Sequence, residues 1–252
     1  MYMARVGEIF LKGLNKGLFT RQLYANLKKK GVENIISYGN KFLVLDDNEK
    51  ALKTTFGIAN YSKVIKTDLE HMHEDALKLA EEGKTFRVRC TRTNKVYKTS
   101  QDIEKEVGSY IVEKKKLKVD LHNPEQIILM DIFTDRVYLF KTKEEGLNGL
   151  PVGIEGAVFL EVKDEMKSIV VGFLILKRGC KLIVSKDLPL LHLFGDIKVG
   201  TAKDIIVTCE TLDSLELVES EKLILRPLIG YNEKEIKKIY EKITELNNYS
   251  AK

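Results

Sequence analysis

The chain of 252 residues is 44% hydrophobic and 31% charged, which excludes a disordered protein and indicates a soluble globular one. Its longest apolar run, residues 169–176, is too short to span a bilayer, and its amino-terminal end lacks the apolar stretch of a signal peptide. The three cysteines lack a CxxC spacing, which argues against a disulfide framework or a cysteine zinc site, and we expect a cytoplasmic protein without a membrane partner.

The net charge of +5 is concentrated in the first part of the chain. Residues 1–60 hold 10 basic and 5 acidic side chains, whereas 61–146 hold 17 and 16, and 147–252 hold 15 and 16. A basic end of this kind favours a polyanionic partner such as RNA. An ordinary lysine-rich, solvated surface would give the same balance, so charge alone leaves both interpretations open.

Residues 1–60 predict an α+β domain. The predicted elements are a strand at 3–9, a helix after the turn at 13–17, a hairpin with strands at 35–38 and 42–45, and a helix at 46–56. Phe19, Leu23 and Leu27 give the first helix its apolar stripe. Three lysines ending at Lys30 suit the dipole at its last turn, and Gly31 can end it. With one further strand, this order is typical of a ferredoxin-like domain.

Residues 61–146 predict a second domain built around a clearly alternating strand. The predicted elements are a helix at 75–82, a strand at 85–91, a helix after Thr99, and strands at 127–133 and 136–140. In the first strand, Phe86 and Val88 would face inward, while Arg87 and Arg89 would face outward. Thr99 and the acidic residue three positions later predict a capped helix start.

A glycine-rich loop at 146–153 opens the third stretch, residues 147–252, and we take it as a domain boundary. Strands are predicted at 158–162, 182–184, 205–208 and 223–225, and the last helix at 234–246. Because strands alternate with helical segments, this stretch predicts a small parallel α/β sheet. The three predicted domains are therefore 1–60, 61–146 and 147–252.

The segment 84–101 is basic and holds no acidic residue. Arginines at alternate strand positions present forked donors in one plane, an arrangement suited to phosphate oxygens. Tyr97 lies among them and could stack on a base. The candidate RNA-binding residues are Arg87, Arg89, Arg92, Lys95 and Lys98. A solvated sheet face without a ligand is the open alternative.

Several motifs of the chain resemble those of one family. Residues 85–92 (TFRVRCTR), 98–108 (KTSQDIEKEVG) and 119–124 (VDLHNP) resemble a THUMP domain. Residues 7–16 (GEIFLKGLNK) and 56–58 (FGI) resemble the ferredoxin-like domain of the tRNA 4-thiouridine synthetases, or tRNA sulfurtransferases. Residues 149–153 (GLPVG) and 226–230 (RPLIG) resemble that family's linker and a late element of its catalytic domain.

The resemblance implies that the ferredoxin-like and THUMP domains together bind tRNA near its acceptor end. It adds Lys12, Asn15 and Lys16 to the candidate RNA-binding residues. In the family, a PP-loop domain of parallel α/β type then uses ATP to adenylate a uridine for sulfur transfer.

The chain departs from the family at the nucleotide loop, which is Ser-Gly-Gly-x-Asp-Ser-Pro in the family. The corresponding positions here include Lys163, Asp164, Glu165, Lys167 and Ser168, of which only the serine is kept. The glycines of the family loop let backbone N–H groups approach a phosphate closely. A carboxylate about 5 Å from a phosphate charge instead weakens binding by about 3 kcal/mol at an effective dielectric near 20. Only 47 positions separate Gly179 from Arg226, so the domain is also shortened. We therefore expect a degenerate nucleotide loop, no bound ATP and no catalytic residue.

The sequence thus favours a tRNA-binding protein of this family that presents tRNA for modification, its own ATP-dependent activity being lost. Two alternatives stay open: an active sulfurtransferase that makes 4-thiouridine with an atypical nucleotide site, and a structural partner of another tRNA-modifying enzyme. We expect tRNA as a partner through its acceptor-stem region, and leave open a separate catalytic or sulfur-carrier protein and a homodimer. His71 and His73 fit no zinc spacing, and no metal is expected.

Overall fold

The computed structural model describes residues 1–93, 98–134, 136–201, 204–215 and 221–250. The chain divides into two compact units. The first comprises Met1–Met3, Ile36–Asp47 and Tyr61–Glu144, and the second Ala4–Ile35, Asn48–Asn60 and Glu145–Lys252. Within the described residues, no helix combines the length and the apolar character that crossing a membrane requires.

The described part of the chain holds fourteen strands and six α-helices. The strands are β1 (Tyr2–Val6), β2 (Ile35–Tyr38), β3 (Lys41–Val44), β4 (Ile58–Lys63), β5 (Ile65–Asp68), β6 (Phe86–Arg92), β7 (Gln126–Phe133), β8 (Arg136–Phe140), β9 (Glu144–Glu145), β10 (Ala157–Leu160), β11 (Lys181–Val184), β12 (Ile197–Val199), β13 (Ile205–Val207) and β14 (Leu223–Leu225). The helices are α1 (Lys16–Lys29), α2 (Glu49–Thr54), α3 (Met72–Leu79), α4 (Ser100–Lys115), α5 (Glu165–Lys177) and α6 (Glu233–Ser250).

The amino-terminal elements follow the predicted order β1-α1-β2-β3-α2-β4, in a sheet ordered β2-β3-β1-β4-β9. This confirms the ferredoxin-like arrangement. The first strand is shorter than predicted, because the chain leaves it after Val6 and forms a 3-10 segment at Glu8–Asn15. Gly13 interrupts that segment with φ 52° and ψ −126°, a conformation open to glycine and strained for other residues.

A four-stranded sheet ordered β5-β8-β7-β6 forms the core of the first unit. Strands β6 and β7 run parallel, and β8 is antiparallel to β7 and β5. Helices α3 and α4 cover one face, with Met72, Ala76 and Val107 buried against Phe86 and Val88. Helix α4 begins with the predicted capping box between Thr99 and Asp102. Strand β5 was not predicted from the sequence, and α3 begins three residues earlier than predicted.

The last region, in the second unit, forms a five-stranded parallel sheet ordered β12-β11-β10-β13-β14. The predicted parallel α/β arrangement is confirmed, although strand β12 was not predicted. Leu182 and Val184 of β11 pack into the same core as α5, α6 and the 3-10 turn at Pro189–Leu193. Strands β11 and β12 lie on one side of β10, and β13 and β14 lie on the other, so the strand order reverses between β10 and β13. Parallel α/β sheets usually bind ligands at the carboxyl ends of the two strands that flank such a reversal.

The glycine-rich stretch before this sheet is held by backbone hydrogen bonds. The N–H of Leu150 donates to the carbonyl of Lys177 at 2.9 Å, and the N–H of Gly153 donates to that of Gly179 at 2.9 Å. Gly149 has φ 75°, and a Cβ atom there would overlap the Lys177 carbonyl oxygen. Position 149 therefore requires glycine.

Candidate nucleic-acid interface

Strand β6 carries the predicted arginines at the edge of its sheet. Phe86 and Val88 are buried against the helices, whereas Arg89 and Thr91 are exposed on the other face, as the alternation predicts. Arg89 forms no ion pair with any other residue within the described ranges. Its guanidinium group is therefore available to an anion from solvent.

Arg87 has a structural role that the sequence did not predict. Its side chain is half-buried, its Nη1 donates to the carbonyl of Leu121, and its buried Nε has no hydrogen-bond partner among the described residues. The segment that ends at Leu121, residues 118–121, is also held by the backbone of Phe86. The Phe86 N–H donates to the carbonyl of Lys118 at 3.0 Å, and the Phe86 carbonyl accepts from the N–H of Asp120 at 3.0 Å. Arg87 therefore ties this segment to the strand rather than standing free.

The other predicted cations of this segment differ in their surroundings. Lys98 is exposed and forms an ion pair with Glu106, with 2.7 Å between Nζ and Oε2. Arg92 is half-buried. Lys95 and Tyr97 lie outside the described residues. Among the described predicted residues of this segment, Arg89 is thus the clearest candidate for a direct phosphate contact.

The three predicted residues of the amino-terminal domain lie together in the 3-10 segment and at the start of α1. The Nζ of Lys12 lies 5.0 Å from the centre of the Phe19 ring, and that of Lys16 lies 5.1 Å from the centre of the Phe10 ring. Asn15 is exposed, and its side chain does not cap α1.

Exposed apolar side chains surround these lysines, a feature that the sequence analysis missed. The exposed side chains are Phe10, Leu11, Leu14 and Leu18. The sequence contains a signal for this exposure, because Leu14 and Leu18 lie outside the apolar stripe of the first helix.

The predicted nucleotide loop lies at the carboxyl end of β10, where it leads into α5. Asp164 is the N-cap residue of α5, and its Oδ1 accepts a hydrogen bond from the Lys167 N–H at 2.8 Å. The positive end of the helix dipole, which binds phosphate in nucleotide-binding loops, thus faces a carboxylate of the chain itself. The side chain and the carbonyl of Asp164 thus occupy the N–H groups of Lys167 and Ser168 at this helix end.

The remaining loop residues are also engaged. Lys167 forms an ion pair with Glu233, with 2.7 Å between Nζ and Oε1, and this hydrogen bond raises the pKa of Lys167. Lys163 lies 3.3 Å from Glu161, and Glu165 is exposed in the first turn of α5. Both lysines therefore face carboxylates that would compete with a nucleotide.

The end of β13 contributes a thiol and an ion pair beside this loop. The Oγ of the buried Ser168 lies 3.5 Å from the Sγ of Cys209, and burial raises the pKa of that thiol. The Nε of Arg226 donates to Oε2 of Glu210 at 2.6 Å, and both side chains are largely buried. A thiol with a raised pKa is a weak nucleophile, so this arrangement favours a structural role for Cys209.

Across the described ranges, no group of three or more histidine, cysteine or acidic side chains is placed to hold a metal ion. The two histidines considered from the sequence pair singly with carboxylates. His71 Nδ1 lies 2.8 Å from Asp68, and His73 Nε2 lies 3.5 Å from Glu106. The carboxylate of Asp68 raises the pKa of His71.

Two family models match the chain: the ThiI ferredoxin-like domain over residues 1–62 and the THUMP domain over residues 66–141. The probable tRNA sulfurtransferase of Mycoplasmopsis agalactiae is 38% identical over 187 residues, which cover 71% of this chain and 50% of that protein. The probable tRNA sulfurtransferase of Methanocaldococcus jannaschii is 32% identical over 215 residues, 76% of this chain and 55% of that protein. The chain spans about half the length of these curated relatives.

Two solved structures share the fold at low sequence identity. The crystal structure of PH1313 from Pyrococcus horikoshii superimposes with a TM-score of 0.81 at 24% identity, covering 96% of this chain and 99% of that one. A 4-thiouridine synthetase in complex with RNA and bound ATP superimposes with a TM-score of 0.78 at 23% identity, covering 96% and 84%. Together with the family models, they confirm a ferredoxin-like region and a THUMP region followed by a parallel α/β region. The chain therefore belongs to the tRNA sulfurtransferase, or 4-thiouridine synthetase, family.

Proposed function

We propose that this chain binds tRNA and presents it for modification, while its own ATP-dependent activity is lost. The observation that carries the proposal is the exposed Arg89 on strand β6, within the region that matches the THUMP model. Relatives named as tRNA sulfurtransferases support tRNA as the nucleic acid.

The RNA is held mainly through its phosphates, which position it without reading its sequence. The proposed contacts are Lys12, Asn15 and Lys16 in the amino-terminal domain, and Arg87, Arg89, Arg92, Lys95 and Lys98 in the THUMP domain. The acceptor-stem region is the proposed part of the tRNA. Arg87 contributes indirectly as well, because it holds the segment that ends at Leu121.

The proposed loss of ATP-dependent activity is supported by the carboxylate that caps α5. A triphosphate at this helix end would have to displace Asp164 from the Lys167 N–H and would meet Glu165 in the same turn. Because like charges repel strongly when partly desolvated, we expect no ATP binding at this loop. A separate protein would then supply catalysis or the sulfur atom.

The proposal is tested by fluorescence anisotropy with labelled tRNA at several salt concentrations. Arg89→Glu changes the local charge by two units, about 1.7 kcal/mol at about 5 Å in water-like surroundings, or roughly a fifteenfold loss of affinity. The salt slope should also fall by about one phosphate contact. Lys78→Glu is the matched control, because Lys78 is an exposed cation on α3. The tRNA affinity of this variant should stay within about twofold of wild type.

Each alternative has its own result in this experiment. Unchanged tRNA affinity in Arg89→Glu would contradict the assignment of the β6 face, and the absence of any tRNA binding would favour a structural partner. Saturable ATP binding that Lys163→Glu weakens would favour an active sulfurtransferase with an atypical nucleotide site, because this variant reverses an exposed cation of the loop. Light scattering of the free protein tests whether it forms the homodimer that the sequence leaves open.

A further inference from the structure

A second basic region lies in the second unit, apart from the nucleotide loop of the same unit. A cavity of about 600 Å³ lies between the carboxyl-terminal half of α1 and strands β10, β11 and β12. Its wall includes Ala157 and Lys181, the first residues of β10 and β11. The cavity therefore reaches the amino ends of these parallel strands, opposite the edge where β10 leads into Asp164. Its volume is typical of sites for small ligands.

The charges that line this cavity are unbalanced. Four lysines face it, Lys29, Lys30, Lys181 and Lys198, against a single carboxylate, Asp196. Lys29 and Asp196 form an ion pair with each other. Lys181 and Lys198 are exposed and form no ion pair with any residue of the described ranges. Two lysines therefore line the cavity without an ion-pair partner in the part of the chain that the structure describes.

A third lysine, Lys30, is largely buried in the wall, and the oxygens that its Nζ contacts among the described residues are neutral. Its Nζ donates to the carbonyl of Thr54 at 2.7 Å, to the Thr54 hydroxyl at 3.1 Å and to the carbonyl of Leu193 at 2.9 Å. Burial lowers the pKa of Lys30 to about 7. Burying a charge without a partner is costly, so an anion in the cavity would stabilise the protonated form of Lys30.

The wall beside these lysines is fixed by side-chain hydrogen bonds. Gln22 Nε2 and Asn26 Nδ2 each donate to the carbonyl of Val152 at 3.0 Å, and Gln22 Nε2 also lies 3.0 Å from Asn26 Oδ1. These bonds join α1 to the stretch that precedes β10. The cations are therefore presented by a wall that is already ordered, which lowers the entropic cost of binding a ligand.

We propose that this cavity binds a phosphate group, carried either by a small nucleotide or by an RNA strand. Lys181 and Lys198 contact the phosphate, and Lys30 supplies buried positive charge behind them. The site goes beyond the proposed contact between tRNA and strand β6, and it does not depend on that contact.

Calorimetric titration of the full chain with inorganic pyrophosphate tests the site, with ATP and a tRNA acceptor-stem minihelix as further arms. Wild type should bind pyrophosphate saturably. Lys181→Ala combined with Lys198→Ala should weaken binding roughly fifteenfold, about fourfold for each exposed lysine some 5 Å from the anion. The control combines Lys186→Ala with Lys238→Ala, two exposed lysines outside both the cavity and the nucleotide loop, and its affinity should stay within about twofold of wild type.

The two further arms identify the source of the phosphate. An ATP affinity that falls in the cavity variant and not in Lys163→Glu, which reverses a cation of the nucleotide loop, supports a small nucleotide. A minihelix affinity that falls in the cavity variant while ATP fails to bind supports an RNA strand. If the cavity variant and the control bind all three probes equally, or if no probe binds, the proposal is overturned. Loss of tRNA binding in Arg89→Glu remains a separate result, so the failure of one proposal is distinguishable from the failure of the other.

Discussion

The buried Lys30 makes the stability of the second unit depend on pH in a direction that can be stated in advance. Burial lowers the pKa of Lys30 to about 7 in the folded chain, whereas its ordinary value in the unfolded chain is 10.5. Between these values the unfolded chain retains a proton that the folded chain has lost. Unfolding therefore takes up a proton, and the folded state gains stability as the pH rises through this interval.

The size of the effect follows from the two pKa values. Across the interval from about 7 to 10.5, the free energy of unfolding increases by about 5 kcal/mol, and most of this increase is present by about pH 10. Lys30→Met removes the titrating group, so the contribution should be absent from that variant. The absolute stability of the variant also reflects the lost hydrogen bonds to Thr54 and Leu193, and the test therefore compares slopes with pH.

Two measurements check this prediction. In NMR spectra of lysine side chains, one resonance should titrate near pH 7, and it should be missing from Lys30→Met. Urea unfolding at a series of pH values should give wild type a steeper rise in stability than Lys30→Met. Lys29→Met is the matched control, because Lys29 is the exposed neighbour on the same helix, and it should keep the wild-type slope. Lysine resonances that all titrate near their ordinary pKa, or equal slopes in all three proteins, would refute the reasoning.

Three further predictions concern other parts of the chain. Asp164→Ala removes the cap of α5 and should lower the unfolding free energy by about 1 kcal/mol in urea denaturation, whereas Asp164→Asn should retain most of it; equal loss in both would contradict the capping role. Lys41→Met leaves the buried Asp131 without the partner that lies 2.8 Å away, so stability should fall by about 3 kcal/mol, and less when Asp131→Leu is added; a neutral single substitution would count against the pair. Burial raises the pKa of Cys90 to about 11, so iodoacetamide should modify it slowly near neutral pH and faster as the pH rises, as followed by mass spectrometry; rapid neutral labelling in the folded protein would refute this.

The sequence predicted the elements whose signals are local. The alternation along β6 and the capping box at Thr99 depend on neighbours within a few residues, and both are confirmed. The parallel sheet followed from strands alternating with helices. Strand β12 is only three residues long, too short for a periodic pattern to reveal it.

The surroundings of the candidate site residues could not be predicted in the same way. The sequence predicts Lys30 to be a solvated cation at a helix end. In the structure its Nζ donates a hydrogen bond to the carbonyl of Leu193, which lies 163 positions away in the chain. Arg87 reads as one of several outward-facing arginines, yet Leu121, 34 positions away, accepts a hydrogen bond from it. Long-range contacts of this kind arise from the fold, and no spacing in the sequence encodes them.

The Asp164 carboxylate that caps α5 is covalently attached to the helix, and it competes with any external anion for the Lys167 N–H. Because Asp164 is joined to the helix by a single peptide bond, its effective concentration at the Lys167 N–H is at least in the millimolar range expected of short tethers. A free anion that reaches this helix end must first displace a group that never diffuses away. Shortening that one side chain, rather than adding new contacts, is the smallest change that would reopen the helix end to an outside ligand.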